Sequence, residues 1–270
     1  MRVAHTPDAD DAFMFYAMLT RKIPLTFEVE NIVEDIETLN KKAFKSEYEV
    51  TALSVHGYAL VSDRYRILSA GASVGDGYGP IVVAKKERLE NAKIAIPGRY
   101  TTANLLLKLA MNAKTVEMRF DEILQAVKSG KVDAGLLIHE AQLNYEKYGL
   151  KKVLDLYEWW FSQTRLPLPL GINAIRRDLG NDLQVEFLRK MRESIIYALN
   201  NVEEALSYAE KYSRGLSREE LRKFVLMYVN EYSIQMPPSV LKAMDKLFEM
   251  AEEKGMIKKP YIDVLYDVNK

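Results

Sequence analysis

Lys45-Ser46 followed by Ala52-Leu53-Ser54-Val55-His56 recurs as Lys128-Ser129 followed by Gly135-Leu136-Leu137-Ile138-His139, at one constant offset in numbering. Each copy reads as a polar, amphipathic helix pattern, a short polar turn, and an apolar run that ends in histidine. A second matching pair lies upstream, at residues 2–11 and 93–102: a strand-like run, a proline-containing loop and a helix start. Two similar α/β units in one chain predict two lobes. Two lobes enclose a cleft, where function is to be sought.

The 270 residues suffice for two lobes of ordinary size, and a hydrophobic content of 48% supplies a core for each. Lys plus Arg and Asp plus Glu balance at 38 each, so net charge gives no reason to expect a nucleic-acid partner. Cysteine is absent. That excludes disulfides, thiolate metal sites, iron–sulfur clusters and thiol nucleophiles. No stretch reaches the ~18–20 apolar residues of a membrane span. No leader-like segment precedes the first strand-like run, Val3-Ala4-His5, so the expected location is cytoplasmic.

Along the chain, strands are expected at residues 3–6, 25–32, 50–55, 65–70, 81–84, 93–96, 115–120, 134–138 and 153–157. Helices are expected at 11–19, 35–45, 56–62, 101–112, 121–129, 141–148, 182–200, 202–211, 217–228 and 239–254. Asp10 is the expected N-cap of the first helix. The glycine-rich stretch 69–80 lacks the lysine of a P-loop and the spacing of a dinucleotide fingerprint, and is read as a mobile loop. Leu166-Pro167-Leu168-Pro169-Leu170 is extended, because each proline biases its predecessor away from helix. The expected division is 1–84 plus 173–270 for lobe one, its C-terminal helices wrapping that lobe, and 85–172 for lobe two. The fold class is α/β: a two-lobed, type II periplasmic-binding-protein-like fold with a central cleft and a helical C-terminal portion.

In such sheets the carboxyl ends of strands and the following helix N-termini face the crevice. The cleft candidates therefore follow the strands: residues 6–11, 54–56, 97–103 and His139-Glu140. His139 ends a buried strand and is either a proton acceptor or a structural strand cap. His56 in the other copy is read as structural, and His5 lies within the first strand. Thr101 and Thr102 start a helix, either as ordinary caps or, with Ala103, as an anion-binding turn of free N–H groups. Ser54 lacks the surroundings of a catalytic serine and is read, with Ala52 and Leu53, as cleft floor. Thr6 and Asp11 lie in the first loop. Asp8, Asp10 and Asp11 lack calcium-loop spacing, so no metal site is expected; they are read as caps, one of them reaching substrate hydroxyls. Trp159-Trp160 is read as core or rim.

Several long blocks resemble the 1,4-dihydroxy-6-naphthoate synthases, the cyclic dehypoxanthinyl futalosine lyases of the futalosine route to menaquinone. They include Asp11-Ala12-Phe13-Met14-Phe15-Tyr16-Ala17, Glu34-Asp35-Ile36-Glu37-Thr38-Leu39-Asn40 and Pro97-Gly98-Arg99-Tyr100-Thr101-Thr102-Ala103. Others are Gly135-Leu136-Leu137-Ile138-His139-Glu140, Leu166-Pro167-Leu168-Pro169-Leu170-Gly171 and Tyr228-Val229-Asn230. The resemblance runs nearly end to end. It implies a lyase without cofactor that acts on a small aromatic carboxylate, with His139 as base. It also implies that Ala52, Leu53, Ser54, Thr102 and Ala103, with neighbouring Thr101, hold the substrate. The family's opening reads Ser-Pro-Cys-Pro-Asn-Asp; here it is Thr6-Pro7-Asp8-Ala9-Asp10-Asp11. That departure bears on which substrate the loop would meet. The remaining alternatives are chorismate dehydratase, a sister family that shares the fold but not this histidine, and a non-catalytic small-carboxylate-binding protein. No membrane partner is expected, and the oligomeric state is left open.

Overall fold

A computed structural model describes residues 1–87 and 89–267. The first unit runs β1 (Arg2–His5), α1 (Ala9–Leu19), β2 (Glu30–Val33), α2 (Ile36–Ala43), β3 (Val50–Ser54), α3 (Val55–Ala59), β4 (Tyr65–Leu68) and β5 (Ser73–Gly75). The second runs β6 (Ile81–Ala84), β7 (Lys93–Ile96), α4 (Thr102–Ala110), β8 (Lys114–Glu117), α5 (Phe120–Ser129), β9 (Ala134–Leu137), β10 (Lys151–Asp155) and α6 (Leu156–Thr164). The chain returns through β11 (Leu168–Arg176). It ends in α7 (Asn181–Asn200), α8 (Val202–Ala209), α9 (Arg218–Tyr228), α10 (Glu231–Ile234), α11 (Pro238–Glu253) and β12 (Val264–Leu265).

The repeat is visible in the sheets. The first is ordered β12-β4-β11-β3-β1-β2, with β5 also on β11; the second is β10-β6-β9-β7-β8. β1 lies parallel between β2 and β3, and β7 lies parallel between β8 and β9. In each sheet one long-range strand then joins antiparallel: β11 on β3, and β6 on β9. β3 and β9 are buried throughout, as expected of strands covered on both faces.

Local chemistry sets the element ends. Asp35 caps α2 by accepting from the N–H groups of Glu37 and Thr38 at 3.1 Å each. Ser217 and Glu220 form a capping box on α9. Gly130 ends α5 at φ 78°, a left-handed conformation that costs glycine little.

Several sequence expectations need correction. β6 already pairs within the second sheet and β11 already within the first. The sheets therefore exchange earlier than the expected boundaries after residues 84 and 172; residues 88 and 268–270 of that division lie outside the described residues. The stretch 69–80 is not a free loop. Ser69, Ala70, Ala72 and Val74 are buried and β5 pairs with β11, so small and apolar side chains pack this segment into the core. Of the expected strand 25–32 only the end pairs. Leu25, Phe27 and Val29 pack on the α1 side without a partner strand.

Residues 141–148 form two short 3-10 turns, Glu140–Leu143 and Tyr145–Tyr148, separated at Asn144 (φ −134°). Asp8, not Asp10, occupies the N-cap position of α1, and its side chain bonds elsewhere. Trp160 is fully buried on α6, its indole N–H donating to Leu166 O and Pro167 O, both at 3.0 Å. The C-terminal helices do not serve lobe one alone. α11 packs into one continuous core that joins Leu53 and Ile67 of the first sheet to Ile94, Leu106 and Leu136 of the second lobe.

Candidate active site

A cleft of about 730 Å³, counting its open mouth, lies between the two sheets. All nine residues singled out as site candidates line it: Thr6, Asp11, Ala52, Leu53, Ser54, Thr101, Thr102, Ala103 and His139. They meet because β1, β3, β7 and β9 all end at this crevice, so the segments after them converge.

His139 follows β9 on the lobe-two wall. Its ring Nδ1 lies 3.0 Å from Asp8 Oδ2, a contact across the cleft to the end of β1, and Nε2 has no partner among the described residues. The edge of Phe120 abuts the imidazole at 4.2 Å between centroids. Arg214, in the loop before α9, fixes the acid. Its Nη1 is 3.2 Å from Asp8 Oδ1, its Nη2 donates to Pro7 O at 2.8 Å, and its guanidinium sits 4.6 Å over Phe120. Glu140 does not orient the histidine. It accepts from the backbone N–H of Arg214 at 3.2 Å and from its Nη1 at 3.4 Å.

Burial alone would lower the His139 pKa, but the charge and hydrogen bond of Asp8 outweigh it and raise the value above that of a free imidazole. Burial works the other way on Asp8, yet His139 and Arg214 hold it down to about 2. Asp8 therefore stays ionised and stabilises positive charge that develops on the ring. Asp10 lies in the first turn of α1 with no such partner. Burial, with Asp11 and Asp8 close by, pushes its pKa well above the usual carboxylate range and favours the neutral acid. Asp11 Oδ2 accepts from Thr6 N at 2.8 Å and Thr6 Oγ1 at 2.7 Å, so this pair braces the loop and leaves Oδ1 open. Asp8 and Asp11 thus bond in different directions, and no metal-ligating cluster occurs among the described residues.

The start of α4, which follows β7 beside β9 in the same sheet, also lines the cleft. Thr101 is its N-cap, accepting from Asn104 N at 3.2 Å and donating to Gly98 O at 2.9 Å. The Thr102 hydroxyl donates to Leu170 O at 2.7 Å and accepts from His56 N at 3.2 Å. Both hydroxyls are therefore committed to structure. What the turn offers a ligand is the backbone N–H of Thr102 and of Ala103, which no described residue accepts from, at the positive end of the helix.

Ser54 is held twice by Asn40: its N–H donates to Asn40 Oδ1 at 3.0 Å, and its Oγ accepts from Asn40 Nδ2 at 3.1 Å. Ala52 and Leu53 form the floor beside it. His56 is buried outside the cleft lining, its Nδ1 3.3 Å from Thr101 O, and burial lowers its pKa to about 4. It is a neutral packing residue. His5 is likewise buried, stacked on Phe15 at 5.2 Å.

Sequence reasoning missed three lining or supporting residues, Arg214, Asn173 and Tyr228, and misread the role of a fourth. Asp8 was read as a cap, although its departure from the family's cysteine, at a strand end facing the cleft, was a usable signal. Arg214 gave none, because its loop carries no motif. Asn173 lines the cleft from β11; its Nδ2 donates to Gly71 O at 2.9 Å and its Oδ1 is a buried acceptor without a partner. Tyr228, part of a block already matched, closes one end, with Gln142 Nε2 donating to its hydroxyl at 3.5 Å.

Two α/β lobes with matched sheets and a ligand-sized crevice at the strand ends define a protein of the periplasmic-binding-protein-like class. Solved structures agree. A zinc-bound ligand-binding component of a Staphylococcus aureus ABC-type import system superimposes with TM-score 0.72 at 14% identity, covering 98% of this chain and 96% of that one. The periplasmic aliphatic sulphonate binding protein of Escherichia coli gives 0.65 at 10% identity, covering 100% and 94%. A crystal structure of an Archaeoglobus fulgidus protein gives 0.94 at 65% identity, covering 95% of this chain and 98% of that one.

A family model described as "Menaquinone biosynthesis" matches residues 1–253. Two curated relatives carry the name 1,4-dihydroxy-6-naphtoate synthase. The one from Thermus thermophilus is 41% identical over 259 residues, 95% of each chain, and the one from Streptomyces coelicolor is 30% identical over 266 residues, 95% of this chain and 94% of its own. The chain belongs to this menaquinone-biosynthesis family.

Proposed function

We propose that this protein converts cyclic dehypoxanthinyl futalosine to 1,4-dihydroxy-6-naphthoate, as a carbon–carbon lyase that needs only its own side chains, with His139 as base. The observation that carries the reading is one arrangement: an imidazole with a partnerless Nε2, paired across the cleft with Asp8, lines the same crevice as the open N–H pair of α4. The substrate class has a benzoate-type carboxylate beside a cyclic ketone that bears a sugar remnant. The carboxylate suits the N–H groups of Thr102 and Ala103, where the helix end favours negative charge. Ser54 and Asn173 suit the sugar oxygens.

His139 Nε2 takes a proton from substrate, and the electron pair left behind opens the ring. Aromatisation then drives release of a three-carbon fragment. Positioning the base against a fixed carboxylate supplies much of the acceleration. The cytoplasmic location expected above goes with this reading.

The test is direct. The purified protein is incubated with cyclic dehypoxanthinyl futalosine and the products are identified. Naphthoate formation by the wild type, and its loss in His139→Ala with the melting temperature and ligand binding retained, is the expected result. Tight binding without product would favour a binding protein instead, and dehydration of chorismate would favour the sister enzyme.

A further inference from the structure

Asp8 is buried and ionised, and its two oxygens meet one histidine nitrogen and one arginine. We propose that Asp8 is the positioning residue for His139: its carboxylate, fixed by Arg214, takes the Nδ1 hydrogen bond across the cleft, leaving Nε2 to accept the substrate proton. This inference rests on the reading of His139 as base.

Three observations carry it. The first is geometry: at 3.0 Å between Nδ1 and Oδ2, with both side chains nearly sealed from solvent (13% and 4% exposed), the contact is a close pair at hydrogen-bond distance with little screening. An acceptor at Nδ1 selects the tautomer with its proton there and the lone pair on Nε2. The second is satisfaction. Asp8 makes no cap bond to α1 although it holds the cap position, so the usual duty of that site has been given up. Its other oxygen faces Arg214, which keeps it ionised. The third is topology. Asp8 follows the first strand of lobe one, His139 follows the last repeat strand of lobe two, and Arg214 precedes α9. The pair exists only while the two walls face each other, so approach of the lobes completes the base.

The proton balance is simple. The substrate C–H breaks, its electron pair stays on the substrate as an enolate, and the proton moves to Nε2. The resulting imidazolium is stabilised by the Asp8 charge, which itself takes up no proton. The titratable and charged groups around the ring are Asp8 from the β1–α1 loop, Asp10 and Asp11 from α1, Glu140 from its own turn, Arg214 before α9, Asp121 on α5 and Tyr228 on α9. Of these, Asp8 and Glu140 favour the charged ring and Arg214 opposes it.

The experiment uses the full chain with ¹⁵N- and ¹³C-labelled histidine, which gives three separable ring signals. The His139 pKa and tautomer are read by NMR in the wild type, Asp8→Asn and Arg214→Gln, beside kcat and KM as functions of pH. In wild type the neutral ring carries its proton on Nδ1. In Asp8→Asn the His139 pKa falls and the acid limb of the kcat profile moves to lower pH with it. The plateau kcat drops by roughly 10- to 100-fold while KM changes little. In Arg214→Gln the His139 pKa moves the opposite way. Loss of folding cannot produce shifts of opposite sign, so the two variants guard each other. An unchanged His139 pKa and tautomer in Asp8→Asn overturns the proposal while leaving His139 as base. Full turnover in His139→Asn overturns the base itself, whatever the NMR reports.

Discussion

At the scale of single residues, the site is built from groups whose ordinary hydrogen-bonding duties have been reassigned. Asn173 is the clearest remaining case. Its amide N–H₂ is committed to Gly71 O, while Oδ1 is an acceptor on the cleft wall with no partner. Gly71 is required there: its φ is +81°, and a Cβ would stand 2.7 Å from Asn173 Nδ2. Asn173→Ala should raise KM about 5- to 30-fold with a smaller change in kcat, the loss of one hydrogen bond to a buried ligand group. An unaltered KM would show that Oδ1 never meets substrate. For His139 the folded pKa is raised, so its contribution to stability is complete below the free-imidazole value near 6.5 and is lost as pH climbs through the folded value. A melting-temperature profile should show that alkaline loss in the wild type and not in Asp8→Asn.

At the scale of elements, two helix starts do the work. The free N–H groups of α4 depend on Thr101 holding the turn. Thr101→Ala should cost about 1 kcal/mol of stability, visible as a lower melting temperature, and should also weaken carboxylate binding. The α2–α3 contact positions Ser54 through Asn40, and it needs Gly57. A Cβ at Gly57 would lie 2.3 Å from Asn40 Oδ1 and 2.7 Å from its Cγ. Gly57→Ala should therefore drive Asn40 off Ser54 and raise KM, although Gly57 lies on a helix that makes no proposed substrate contact. Kinetics of that variant indistinguishable from wild type would show that Asn40 yields without disturbing the floor. These elements were largely legible in advance, because capping residues and apolar periodicity are local signals. The exceptions were tertiary in origin. The 69–80 stretch packs because β11 offers it a partner edge, and the 25–29 stretch stays unpaired because no strand reaches it.

At the scale of the whole molecule, the lobes are bound by more than their connections. The core is continuous from the first sheet through α11 to the second lobe, and the cleft is bridged on both sides by polar contacts. Glu37 accepts from Tyr100 N at 2.9 Å and Lys41 meets Glu117 at 2.6 Å; His139 meets Asp8 at 3.0 Å. Large opening would disrupt this packing, so motion is confined to small rotations that make or break the polar bridges. The C-terminal segment closes the first sheet as β12 and is tied down by Asp263, which contacts Arg66 at 3.1 Å and also pairs with Arg177. Burial raises the Asp263 pKa, but the two arginines outweigh it and lower the value. Its contribution is therefore present above the ordinary value of 3.8 and lost as pH falls through the folded value. Asp263→Asn should lower stability by about 1–3 kcal/mol at neutral pH, with the gap to wild type closing in strong acid. A constant gap across that range would refute the assignment.

The repeat, the strand ends and the histidine at each copy's end were written in the chain, because strand periodicity and the turn after it are set by neighbours a few residues apart. From them followed two lobes, a crevice and nine of the residues that line it. The sequence also separated the two matched histidines, reading His56 as structural and His139 as the cleft residue; what each one meets was not written there. His56 enters a helix and packs against Thr101, whereas His139 turns toward an acid from the other lobe. The partners that distinguish them, Asp8 and Arg214, are separated from His139 by most of a lobe or by the whole return of the chain. Contacts at such separations leave no local periodicity, so only folding the lobes against each other could decide them.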